Sequence, residues 1–152
     1  MSANLFKSVK IKDREFSIKK FDAKTGAKLG RLVLVKAAPA MNTLGDIDNG
    51  KGKKSKAQIE KENREFYNIL TDVLKELSDD DMDMVIDYCM RVCYEKFPDK
   101  DPVPVMDKDG TFLIEDVEYN LALTLRLCIE AIIWGASDFF GEDGLSLIQS
   151  LT

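Results

Sequence analysis

Histidine is absent from this sequence. Its loss removes the commonest general base, and with it the Ser–His and Cys–His nucleophile pairs. The sequence reads as that of a non-enzymatic protein with no cofactor and no metal. Cysteine is also scarce. Cys89, Cys93 and Cys128 are too few for a disulfide framework and read as cytosolic thiols. With no histidine beside them they do not complete a zinc set. Cys89 and Cys93 fall one helical turn apart on an apolar face, which suits core thiols. No basic start leads into an apolar run and a small-residue cleavage site, so no secretory signal is expected and the chain reads as cytoplasmic. Long apolar runs are missing too. The most apolar stretch, residues 119–136, is interrupted by Asn120, Thr124, Arg126 and Glu130, and is too short and broken for a membrane span.

What is present suits one globular domain over residues 1–152. The chain is 45% hydrophobic and 32% charged, which favours a packed core over disorder. Charge is divided unevenly. Residues 1–64 carry 16 Lys and Arg against 7 Asp and Glu, a balance of +9; residues 65–152 carry 6 against 20, or −14. Such polarity speaks of partners and solubility rather than of fold. The basic half admits a nucleic-acid-associated regulator as the alternative function. Its lysines, however, are not interleaved with aromatics as a single-strand-binding surface requires.

Residues 7–21 alternate apolar and polar at Val9, Ile11, Phe16 and Ile18, which predicts a short β-hairpin. Asp22 is placed to N-cap a helix running through Ala38, with Pro39 just past its end. Gly26 and Gly30 either weaken that helix or permit close backbone approach. Residues 42–56 are rich in glycine and lysine and predict a flexible basic loop. Ile59, Phe66, Ile69, Leu70, Val73, Leu74 and Leu77 then trace one stripe of a second helix. Ser78 caps a third, with Asp79, Asp80 and Asp81 where the helix dipole favours anions. Its apolar face takes in Met82, Val85, Ile86, Cys89, Val92 and Cys93, and Phe97 and Pro98 close it. Residues 119–136 predict a last long helix buried on most sides, with Arg126 and Glu130 paired along a wet edge. The expected fold class is therefore mainly α (α+β). Four main helices would carry a short N-terminal hairpin and a small second hairpin, Val103–Met106 with 111–114, before the long helix.

Two stretches imitate ligand sites. In "VMDKDGTFLIED" (residues 105–116), setting Gly110 at the glycine of a calcium loop puts Val105 where the first carboxylate belongs, and Asp116 where a bidentate Glu belongs. Prolines upstream forbid the incoming helix, so Asp109-Gly110 reads as a hairpin turn. In "GDIDNGKG" (residues 45–52), Gly52 stands where a P-loop needs Ser or Thr, and no strand precedes. Trp134, Phe139 and Phe140 gather after the most apolar helix, either as core or as an exposed patch.

The opening "I-x-x-R-E-F-x-I-x-K" at residues 11–20, followed by a helix, and the apolar helix running into "WGASDFFG" at residues 134–141 resemble the tail assembly chaperones of long-tailed bacteriophages and prophages. In that family the corresponding end is similar to "N-x-G-D-F-F"; here an Ala-Ser pair intervenes before Asp138, Phe139 and Phe140. The resemblance implies a non-catalytic role in the host cytoplasm: binding the tape measure protein and tail tube subunits during tail assembly, and absence from the mature virion. Self-association and a longer frameshifted form stay open. On this reading the partner surface comprises Ile133, Trp134, Phe139, Phe140 and Leu145, with Lys51, Lys53 and Lys54 as an electrostatic accessory.

Overall fold

Alternating side chains make the first two elements. The computed structural model describes residues 5–37, 39 and 56–135, the side chains of 56–63 excepted. Strands β1 (Phe6–Ile11) and β2 (Arg14–Lys19) pair antiparallel from Phe6↔Lys19 to Ile11↔Arg14. Lys12, at φ 57°, takes the left-handed turn position. Val9, Ile11, Phe16 and Ile18 are buried together on one face, as a period of two dictates.

The larger finding is a second hairpin, β3 (Cys93–Phe97) and β4 (Lys100–Pro104), whose first strand pairs with β2. The result is one four-stranded antiparallel sheet in the order β1-β2-β3-β4. This corrects the expected helical domain with two separate hairpins: the protein is a mixed α+β domain built on a sheet. The third helix does not run on to Phe97. It ends at Arg91, and Cys93 opens a strand rather than continuing a helical stripe.

The strand was hidden because its inward row is Cys93, Glu95 and Phe97, with a carboxylate in the middle. Glu95 is only 5% exposed. It is tolerated there because Arg14, diagonal to it across β2 and β3, donates from Nε and Nη2 to its two oxygens at 2.8 and 2.7 Å. The Arg14 guanidinium also lies 5.5 Å from the Phe16 ring centroid. Pro102 and Pro104 masked β4 in the same way. Proline is excluded from a central strand but fits an edge, and β4 is one.

Val103 and Pro104 belong to β4, and the stretch 105–114 is a tight turn with one isolated bridge, Met106↔Phe112, rather than the expected separate hairpin. Asp107 Oδ1 accepts the N–H groups of Asp109 and Thr111, both at 2.9 Å. Gly110 takes the left-handed φ of 87°. The carboxylate that imitated a calcium ligand is used by its own backbone.

Helices cover the inner face. Asp22 caps α1 (Ala23–Leu29) by accepting the Thr25 N–H at 2.8 Å, which holds its carboxyl below the usual value. The chain then widens into a π-helical turn, Gly30–Leu34. Leu29, Val33, Leu34 and Ala37 point inward together across that turn. Pro39 is itself helical rather than past the end. A Cβ on Gly30 would meet nothing within 4 Å, so close approach is not its purpose. Helix α2 (Lys56–Lys75) buries Phe66, Leu70, Val73 and Leu74, and α3 (Asp79–Arg91) starts on a Ser78 Oγ cap and buries Val85, Cys89 and Met90. A single turn, α4 (Glu115–Glu118), leads into α5 (Leu121–Gly135), which packs on α3, α2 and β2. Thr124, buried in α5, is satisfied by donating to the Val117 carbonyl at 2.7 Å. None of the described helices is long and apolar enough to cross a membrane.

Arg14→Met leaves the Glu95 carboxylate buried without its partner. The expected loss is about 2 kcal/mol in urea unfolding, below the full buried-pair penalty because the Arg14 side chain keeps 26% exposure. The double variant Arg14→Met, Glu95→Val should return to within about 1 kcal/mol of the native chain, since apolar groups on that face need no pairing.

Candidate partner-binding surface

The C-terminal end of α5 carries the two expected contact residues that the structure describes. Ile133 is half-buried against the core. Trp134 is half-buried too, and its indole N–H donates to the Leu5 carbonyl at 3.0 Å. The Lys20 ammonium sits 4.8 Å from the indole centroid. The Leu5 carbonyl also accepts the Lys20 N–H at 2.7 Å, so one oxygen ties α5 to both strands of the first hairpin. Next in the chain, Gly135 lies against Phe21: a Cβ there would stand 2.5 Å from the ring. Glu130 adds ion pairs to Lys7 at 3.9 Å and to Arg126 at 3.7 Å. Trp134 thus clamps α5 to the first hairpin. Leu5, 39% exposed, lies beside Trp134, whereas Phe6, 45% exposed, lies on the outer face of the sheet, edge-on to Tyr94. Phe139, Phe140, Leu145, Lys51, Lys53 and Lys54 lie outside the described residues, as does most of the basic loop expected at 42–56.

The opposite end of α5 holds residues that sequence reasoning placed inside a buried helix. Tyr119 is 78% and Leu121 71% exposed. They flank Asn120, which caps α5 by accepting the Leu123 N–H at 3.1 Å. An Asn directly before an apolar helix is an N-cap signal, and it marks the true start of α5 two residues into the apolar run.

The three thiols converge on the core, where Cys89, Cys93 and Cys128 are all buried. Cys89 Sγ lies 3.7 Å from the Cys128 carbonyl. Burial pushes the Cys89 and Cys93 thiols well above their ordinary range. Among the described residues no three His, Cys, Asp or Glu side chains are placed to hold a metal.

This geometry defines a class of protein: a small α+β domain with large apolar side chains left exposed at the N-terminal end of one central helix. The comparison with protein families names the class. A model of the phage tail assembly chaperone protein family, TAC, matches residues 12–147, and the chain belongs to that family. No curated protein and no solved structure matches it significantly.

Two measurements follow from the geometry. Trp134→Phe keeps the ring but removes the N–H donor, and should lower unfolding stability by about 1 kcal/mol. The three cysteines should resist an aqueous thiol reagent in the native chain and react fully in denaturant, because all three are buried and the raised pKa of Cys89 and Cys93 leaves those two almost no thiolate.

Proposed function

We propose that the chain assists phage tail assembly by binding the tape measure protein, and with it tail tube subunits, in the host cytoplasm, without catalysis and without entering the mature virion. The family match over residues 12–147 carries this reading, since tail assembly chaperones work on protein partners. The apolar surface that begins at Leu5 and Trp134 supports it physically. Such a surface suits transient capture of apolar helix faces through anchors at i, i+3 and i+4. Phe139, Phe140 and Leu145, which follow α5 in sequence, would extend that contact, and Lys51, Lys53 and Lys54 would add charge steering.

Phe139→Ser with Phe140→Ser should weaken capture of a tape measure fragment by the full chain, with helix content by circular dichroism unchanged. A collapse of helix content would instead make those two residues part of the fold and remove them from the contact surface.

A further inference from the structure

The corner between α4 and α5 has a built character that the proposed function does not use. Tyr119 precedes the Asn120 cap, where an apolar side chain normally folds back onto the fourth residue of the helix. That residue is Thr124, which is buried with its hydroxyl bonded to the Val117 carbonyl, so Tyr119 gains no apolar partner and stands out into solvent. The corner is nonetheless fixed. The Val117, Glu118 and Tyr119 N–H groups bond back to the carbonyls of Ile114 and Glu115, and the Thr124 N–H bonds to Asn120. Two large side chains, more than two-thirds exposed, are therefore held outward on ordered backbone.

Open clefts lie on both sides of this ridge. One, about 580 Å³, is bounded by Tyr119, Leu121, Ile86 and Phe112, with Asp83, Asp87 and Glu118 on its walls. The other, about 470 Å³, shares Tyr119 and Leu121 and is bounded by Glu115, Asp116 and Arg14. Five carboxylates thus face the two clefts against one cation, and that cation is already held bidentate by Glu95. Among the described residues, the surface pairs apolar anchors with an excess of negative charge.

We propose that this corner docks a basic amphipathic helix of a partner protein. Its apolar side chains would straddle Tyr119 and Leu121, and its lysines or arginines would face Asp83, Asp87 and Glu118. Charge complementarity selects this occupant: an acidic or neutral apolar segment would leave the five carboxylates crowded and unpaired. The inference rests on the chaperone reading only in taking the partner to be a protein. Leu121 and Trp134 are about 20 Å apart along the axis of α5, at about 1.5 Å per residue, so this is a separate contact from the one proposed above.

The test uses the full chain and a designed helix of leucine and lysine about five turns long, with a leucine–glutamate counterpart and unstructured polylysine as controls. The leucine–lysine helix should bind, more weakly at high salt. Tyr119→Ser with Leu121→Ser should weaken it about tenfold or more, as loss of two interface anchors does. Asp83→Asn with Asp87→Asn should weaken it independently. Circular dichroism and Trp134 fluorescence should be unchanged in all variants. Equal binding of the leucine–glutamate helix, polylysine binding as tight as the helix, or unaltered binding by the Tyr119/Leu121 variant would each overturn the proposal. So would sedimentation showing a dimer that this variant dissolves, since the occupant would then be a second copy. The Phe139/Phe140 variant should bind the helix like the native chain. Failure of the native chain to capture a tape measure fragment would count against the proposed function and leave this result standing.

Discussion

The pairing of β2 with β3 is the constraint on which the remaining structure depends. Glu15–Ile18 meets Cys93–Lys96 across most of the chain, so two hairpins remote in sequence become one sheet. Side chains alternate along a strand, and a slip of one residue would turn Phe16, Ile18 and Cys93 away from the helices. The Arg14–Glu95 pair holds the register from inside the core face, where a bidentate ion pair accepts only one alignment. On the outer face, Lys96 reaches both Glu15 and Ser8 and joins three strands. Of the two pairs, the inner one dominates. Glu95 is nearly dry, whereas the Lys96–Glu15 pair is solvated and worth little.

The sheet in turn gives α5 its place. That helix is apolar on nearly every side because it lies on β2 while α3 and α2 pack around it. Burying its middle fixes both ends. The C-terminal end is clamped through Trp134 to Leu5, and the N-terminal end is capped by Asn120. Apolar groups at the two ends, exposed Tyr119 and Leu121 at one and half-buried Trp134 at the other, are therefore presented from a rigid rod rather than from loose chain. The partner binding proposed above would gain from such preorganisation, since little side-chain entropy is lost on binding.

Local signals carried the elements that local chemistry decides. Asp22 and Ser78 were legible as caps, because a short polar side chain before an apolar periodic run has one evident use. Val9, Ile11, Phe16 and Ile18 announced the first hairpin through their alternation. Strand β3 was not legible, because Cys89, Val92 and Cys93 extend a helical spacing and Glu95 breaks the alternation of a strand. Only a cation from β2 makes sense of Glu95. Trp134 was expected at a partner contact, but its role as a clamp depends on the Leu5 carbonyl reaching it from the other end of the chain. Tyr119 and Leu121 were misplaced because an apolar run does not say where its helix begins.

By itself the sequence determined chemistry and local geometry. It withheld histidine, placed the caps, set the Asp107–Gly110 turn and carried the family's pattern. Tertiary structure alone decided that the two hairpins form one sheet, that a buried carboxylate is affordable at Glu95, and which apolar residues remain outside. The reason is physical. Caps and turns are settled within a few residues, whereas burial and ion pairing depend on what arrives from elsewhere in the chain, and only the folded core brings Arg14 to Glu95.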